Sequence, residues 1–361
     1  MFEGFSLETF RSRIDAAKQA AAKAGLDGVL ITPGPDFEYL LDSKMHTHER
    51  FAGLVLGERD FIFAPGVDVA DLKRSKAGAL GIEIRGWNDG EDPYSFVPAG
   101  KLAVSAAMTA DHLIELQSRG VEAFNATKVL AETFVKKDDA EIRELTRAAE
   151  AIDAVHRKVP ELLRAGVTER EVADKLRELI LEEHVVVDFI IVGSGPHGAD
   201  PHHDFSDRVI EEGDIVVVDI GGTLDSGYHS DCTRNYVVGE PTDEQQATYD
   251  VLQQAQEAGL AFAKPGVRAG EVDQVVRDII EDAGYGEFFI HRTGHGIGLS
   301  CHEEPFIIAG NDVVLREGMA FSIEPGVYFP GQWGARVEDI VILEADGARP
   351  INLTPHELQR V

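Results

Sequence analysis

Five residues in the second half of the chain carry side chains that could do chemistry together: Asp219, Asp231, His295, Glu324 and Glu338. Asp219 follows the apolar run Ile215-Val216-Val217-Val218, and Asp231 comes after a turn at Asp225, Ser226 and Gly227. That stretch predicts a hairpin with one carboxylate on each arm, Asp219 standing where the first strand ends. Glu324 follows a second apolar run, 320–323, and Glu338 precedes a third, 340–343. In Arg336-Val337-Glu338, strand alternation would put Arg336 and Glu338 on one face. Glycines flank His295, so its backbone can approach another group closely. Four carboxylates and one imidazole cannot share a buried space as bare anions, because repulsion and desolvation would protonate some of them. Divalent cations remove that conflict. Two metals about 3.5–4 Å apart, bridged by carboxylates and a water, form a hydrolytic arrangement. Oxygen-rich ligation with one imidazole suits manganese, cobalt, iron or zinc alike. On the hairpin alone a plainer reading stays open, in which Asp219 caps a turn and Asp231 is solvated.

Such a set needs elements that bring distant residues together, and the sequence supplies them twice. Residues 166–180 match residues 266–280 at an offset of one hundred, with Gly, Val, Glu, Val, Arg and a final Ile coinciding. Further on, Gly213-Asp214 through Asp219 lines up with Gly318-Met319 through Glu324. Each half therefore predicts two helices, a glycine turn, a buried strand and an acid at its end. Two such halves packed about a pseudo-dyad would bring their carboxylates to the centre. Chance likeness between amphipathic helices is the alternative.

Upstream, 6–24 has apolar positions at helical spacing, with Ser6 as a plausible N-cap and Gly25 as the stop. Strands are predicted at 28–32, 52–56, 61–64 and 102–104, with a turn at 33–36. This alternation predicts a smaller α/β domain over 1–130, and 131–361 forms the second domain; the boundary falls near 126–138. Asp138 or Asp139 can cap the long helix that follows, in which Ile142, Leu145, Ala149, Ile152 and Val155 share a side. His46, His48 and His112 read as surface or hydrogen-bonded residues, although Met45–Arg50 could reach a neighbouring site.

The chain has 361 residues and a formal net charge of −30, which argues against a nucleic-acid partner. No export signal and no membrane-spanning run is evident. Two cysteines, Cys232 and Cys301, fit a reducing cytoplasm and read as small buried thiols.

The motifs DIGG…GYHSDCTR, HRTGHGIGLSCHE, SIEPGVY and RVED are similar to those of the pita-bread metallopeptidases, nearest to the proline-specific branch of Xaa-Pro dipeptidase (prolidase) and Xaa-Pro aminopeptidase. The resemblance covers about residues 140–361 and extends to a creatinase-like N-terminal domain. It implies an α+β fold, with a C-terminal pita-bread domain built on an internal pseudo-twofold repeat. It implies metal ligation by Asp219, Asp231, His295, Glu324 and Glu338, with two divalent ions, manganese first and cobalt or zinc next. One departure is a residue more between Asp219 and Asp231 than is common in the family, taken up in the hairpin turn. The resemblance also implies that a metal-bridging hydroxide attacks the carbonyl before proline, that Glu324 shuttles the proton and that His302 stabilises the oxyanion. His291 would contact substrate, with Tyr328 and Arg336 in support. His202 would sit near the proline end; its rival is His203, and His202 is preferred because it directly follows Pro201. His197, His229 and His356 read as satisfied structural residues. The expected activity is hydrolysis of Xaa-Pro dipeptides by a homodimer. The alternatives are an Xaa-Pro aminopeptidase acting on longer peptides and a non-catalytic peptide-binding member of the fold. Methionine aminopeptidase and creatinase fit less well, the first for its missing N-terminal domain, the second for having no need of the metal set.

Overall fold

The computed structural model describes residues 4–361. Two units divide at Phe134 and Val135. In the N-terminal unit, helix α1 (Leu7–Lys23) starts where Ser6 accepts the Thr9 amide, and buries Phe10, Ile14, Ala17 and Ala21. Strands β1 (Gly28–Ile31), β2 (Gly53–Leu56), β3 (Phe61–Pro65), β4 (Glu83–Trp87), β5 (Gly100–Val104) and β6 (Val121–Asn125) form one mixed sheet, ordered β4-β3-β2-β1-β5-β6. Strands β4 and β6 escaped the sequence reading because they are the two edges, where half-exposed positions break up any apolar run. The turn expected at 33–36 is corrected: Pro35 opens helix α2 (Pro35–Leu41), since proline's fixed φ suits a first helical turn.

The C-terminal unit opens on helix α3 (Asp139–His156). Its N-cap is Asp138, in a reciprocal capping box with Glu141. Of the expected apolar stripe, Leu145, Ala149, Ile152 and Val155 are buried. Helices α4 (Glu169–Ile180), α5 (Asp243–Phe262) and α6 (Ala269–Asp282) complete the long helices of this unit. Among the described residues no helix is long and apolar enough to cross a membrane.

The internal repeat is visible bond by bond. Gly166 and Gly266 take φ values of 92° and 97°, a left-handed conformation that favours glycine. Their amides donate to the Ile210 and Leu315 carbonyls, both at 2.9 Å. Thr168 and Arg268 then precede α4 and α6, and each backbone amide is bonded 2.8 Å from a glutamate three residues on, Glu171 or Glu271. Val172, Leu176 and Ile180 are buried in one half as Val272, Val276 and Ile280 are in the other. Gly213 and Gly318 have φ values of 86° and 87°, and donate to Val238 and Leu343 at 2.7 and 2.8 Å.

Each half then lays down its own sheet. The first holds β7 (Val186–Ser194), β8 (Ile215–Thr223) and β9 (His229–Val237), with β17 (Gln359–Arg360) beside β9. The second is ordered β11-β10-β12-β15-β16, from β10 (Gly294–Gly296), β11 (Glu303–Ile307), β12 (Ala320–Ile323), β15 (Asp339–Glu344) and β16 (Gly347–Pro350). Between them a hairpin of β13 (Gly326–Phe329) and β14 (Trp333–Arg336) leads back toward the centre. The β8–β9 hairpin of the first half corresponds to β12–β15 of the second.

Two local expectations are corrected. Strand β8 runs on to Thr223, so Asp219 stands mid-strand instead of at its end. Gly221 and Gly222 stay in the strand because β7 and β9 pair with it on both sides, and the Phe189 ring fills the space over Gly221. Nor do Arg336 and Glu338 share a strand. β14 ends at Arg336 and β15 starts at Asp339. The linking amides of Val337 and Glu338 bond to the Pro325 and Thr233 carbonyls at 3.2 and 3.3 Å.

Candidate metal centre

The β8–β9 register explains how two aspartates twelve positions apart come to one face. Asp219 pairs with Thr233 and Gly221 with Asp231, so Asp219, Asp231 and Thr233 lie on one side of the hairpin. The second half adds Glu324 just past β12 and Glu338 just before β15. His295 comes from the middle of β10. A Cβ on Gly294 would collide with the Ser322 carbonyl, and one on Gly296 with the Glu304 carbonyl. The two glycines thus let β10 lie between its neighbours and carry the imidazole inward.

The ring is oriented as well as placed. His295 Nδ1 faces the Gly296 carbonyl at 3.0 Å, leaving Nε2 to point at the acids. Nε2 lies 3.2 Å from Glu324 Oε1 and 3.6 Å from Asp231 Oδ2. Asp231, His295 and Glu338 each offer a ligand atom within 4.8 Å of the others. Glu338 Oε2 accepts from Thr233 Oγ1 at 2.7 Å, and Glu324 Oε1 from Ser322 Oγ at 3.0 Å. Asp219 Oδ2 accepts from Arg336 Nη2 at 2.5 Å. All five expected ligand positions are therefore gathered in one buried space.

Whether this space suits a divalent ion can be asked of the acids themselves. Asp219 Oδ1 and Glu338 Oε1 are buried with no hydrogen-bond partner. Burial pushes the Asp231 and Glu338 carboxyls well above the usual carboxylate range, and the neighbouring acids push them further. Burial likewise raises Glu324 to about 7, against the opposing pull of Arg336. Burial holds His295 down to about 3, so the imidazole is neutral with a free lone pair at Nε2. One guanidinium, that of Arg336, does not balance four crowded acids with orphaned oxygens beside a neutral imidazole, and oxygen-seeking divalent cations supply the missing positive charge. The residues fit the ions.

Arg336 ties the surrounding shell together. Beyond Asp219, it donates from Nη1 to Tyr328 Oη at 2.7 Å and from Nε to Thr233 Oγ1 at 3.1 Å. Burial works against its charge, but Tyr328, Asp219 and Glu324 more than offset that and raise its pKa. Tyr328 Oη also meets His291 Nε2 at 3.0 Å. Burial pushes the Tyr328 hydroxyl up to about 12 and holds His291 down to about 3, so both are neutral here. His302 is exposed, its ring 4.0 Å from that of His295.

The two candidates after Pro201 are separated by Glu169, at the start of α4. This fully buried carboxylate accepts from the amide and hydroxyl of Ser194, at 2.9 and 2.7 Å, and of Ser206, at the same distances. His203 Nε2 and His197 Nδ1 meet it too, both at 3.0 Å. Burial would raise the Glu169 carboxyl, but these donors draw it down to about 2. His203 is thereby held within the loop 194–206, whereas His202 is exposed and its charge bears on His291 and His302. Two further histidines have structural partners: His229 meets Asp188 Oδ2 at 2.6 Å, and His356 meets Asp339 Oδ2 at 2.7 Å. Cys232 is buried, and Cys301 lies 3.6 Å from Asp231 Oδ2; burial pushes both thiols up, away from nucleophilic character.

The sequence reading missed Thr233, Ser322 and Glu169. The first two were within reach: Thr233 is two residues after Asp231 and Ser322 two before Glu324, so alternation puts each on its partner's face. Nothing local marks Glu169, because its partners arrive from a loop closed by the tertiary structure.

A pseudo-twofold α+β unit around a buried cluster of acids, preceded by a mixed α/β unit, is the pita-bread metallopeptidase fold with its creatinase-like N-terminal domain. Residues 143–345 match the model of metallopeptidase family M24, and residues 13–132 match that of the creatinase/prolidase N-terminal domain. The chain belongs to this metallopeptidase family. It is 50% identical over 364 residues to the probable dipeptidase PepE of Mycobacterium tuberculosis, covering 98% of this chain and 97% of that one. It is 38% identical to the Xaa-Pro dipeptidase of Lactobacillus delbrueckii subsp. lactis, over 83% of this chain and 84% of the other. The crystal structure of dipeptidase PepE from Mycobacterium ulcerans superposes with a TM-score of 0.97 at 49% identity, covering 99% of each chain.

Proposed function

We propose that the protein hydrolyses the peptide bond before proline in Xaa-Pro dipeptides, with Asp219, Asp231, His295, Glu324 and Glu338 holding a pair of divalent ions. The carrying observation is the set of buried acids around one inward imidazole, with two carboxylate oxygens left without a donor. The likeness to a named Xaa-Pro dipeptidase supplies the substrate class. Ions held there would polarise the scissile carbonyl and lower the pKa of a water.

The side chains divide the remaining tasks. Glu324 is the most accessible of the four acids, its side chain 14% exposed against 9% for Asp219 and 4% for Asp231. On the family resemblance it takes the proton from the attacking water and returns it to the leaving nitrogen. His302, over the His295 ring, donates to the oxygen that gains negative charge. Proline's nitrogen carries no hydrogen in the substrate, so the site must fit a ring, and His202 stands at that end. His291 borders the substrate and is held by Tyr328, which Arg336 fixes in turn. Arg336 also donates to Asp219 and so fixes the direction of that carboxylate.

Manganese as the ion, a homodimer as the assembly and the cytoplasm as the location complete this reading. They rest on the family resemblance and on the two-cysteine composition. The test is hydrolysis by chelator-stripped protein reloaded with manganese, cobalt or zinc. An Xaa-Pro dipeptide should be cut faster than an Xaa-Pro-Xaa tripeptide. Preference for the tripeptide would favour an aminopeptidase. If every Xaa-Pro peptide survives under all three metals, the reading fails.

A further inference from the structure

The peptidase reading asks for something the expected site does not contain. An Xaa-Pro dipeptide carries a free carboxylate one residue beyond the scissile carbonyl, and a dipeptidase must recognise it. Arg336 cannot do so. Its guanidinium already donates to Asp219, Tyr328 and Thr233, and it is 4% exposed. The other arginines near the centre are committed as well. Arg234 is spent on Asp339 and on the Thr354 and Glu338 carbonyls. Arg277 is spent on Asp273 and on the Phe289 and His291 carbonyls.

Arg292 differs from all of these. Among the described residues its guanidinium has no carboxylate partner and no hydrogen bond, although it is half-buried. It lies over the ring of Phe306, 4.5 Å from the centroid. It directly follows His291 and stands three residues before His295, on the segment that leads into β10 at the edge of the candidate centre, and its charge bears on His295, His302 and Glu324. Phe306 is itself fixed, its amide 3.1 Å from Glu304 Oε2 and its carbonyl 2.6 Å from Asn311 Nδ2.

We propose that Arg292, stacked on Phe306, is the anchor for the free α-carboxylate of the dipeptide. A guanidinium matches a carboxylate with two parallel hydrogen bonds, which a histidine cannot do. The stack on Phe306 holds the planar group in place, so less side-chain freedom is lost on binding. Arg292 would thus make the enzyme a dipeptidase by rewarding the carboxylate, with no wall needed against longer peptides. The inference rests on the Xaa-Pro reading above.

The metal-loaded enzyme should be compared on Ala-Pro and Ala-Pro amide, which differ only in that carboxylate. Wild type should prefer the acid by at least roughly tenfold in kcat/KM, the scale of one charge-assisted hydrogen bond. In R292M the KM for Ala-Pro should rise by about 10- to 100-fold, while kcat/KM for the amide stays within about threefold. R292K should fall between, because it keeps the charge and loses the fork. Equal use of acid and amide by wild type would overturn the role of Arg292, and so would parallel losses on both substrates in a folded R292M. If wild type cuts neither substrate, the Xaa-Pro reading itself falls, and this inference with it.

Discussion

The centre depends on individual oxygen atoms. Glu338 presents one oxygen to Thr233 and leaves the other without a partner. Replacing it by glutamine, Glu338→Gln, removes a charge but keeps the shape. Bound metal should fall and hydrolysis should drop by roughly 1,000-fold, since a metal's charge stabilisation is worth several kcal/mol. Metal content and kcat/KM measured on the same sample check this; full metal content with full activity would remove Glu338 from the ligand set. Glu169 provides a pH signature. Its carboxyl is held at about 2 in the fold, below the ordinary value of 4.5. A depressed acid stabilises the fold above its unfolded pKa, and that stability is lost as pH falls through the folded value. Wild type should therefore exceed Glu169→Gln by about 2–3 kcal/mol near pH 7. The gap should close between pH 4.5 and about 2, as urea unfolding across that range would show. A constant gap would mean that Glu169 acts through packing alone.

At the scale of elements, the site is a junction of two sheets, and its tolerance is set by backbone spacing. Strand β10 is three residues long, and both glycines face carbonyls of adjacent strands. Gly296→Ala should destabilise the fold by about 2–3 kcal/mol or more, because an overpacked strand must push its neighbour away. It should also displace His295, so metal affinity should fall along with the melting temperature. A variant that melts normally and binds metal normally would show that β10 has slack. The first half has a different device. Strand β7 carries a register shift between Val187 and Phe189, and the residue between them, Asp188, meets His229 and Thr223, both at 2.6 Å. A bulge re-aims a side chain without ending the strand.

At the scale of the whole molecule, the buried acids couple metal to stability. Without cations the centre holds carboxylates that burial and mutual repulsion disfavour. Chelation should lower the melting temperature of the C-terminal unit, and manganese should restore it. At 100 times the dissociation constant the gain is about 2.7 kcal/mol by mass action. Scanning calorimetry with and without chelator reads this directly; an unchanged transition would mean that the acids are accommodated without ions.

The one-hundred-residue repeat, the acids that accompany its buried strands and the glycine-flanked His295 were legible because each is a local pattern. Periodicity sets which face a side chain takes, and a glycine marks where backbone must come close. The same patterns misplaced Asp219 at a strand end and ran Arg336 and Glu338 along one strand. Glycines and short links read as breaks until the neighbouring strands that pair across them are known. Tertiary structure alone decided that His203 is tied to Glu169, which carboxylate oxygens lack donors, and that Arg336 is already engaged while Arg292, among the described residues, has no carboxylate partner. Those facts concern where hydrogen-bonding capacity is filled and where it is left over. That balance is set by residues a hundred positions apart, and no local spacing encodes it.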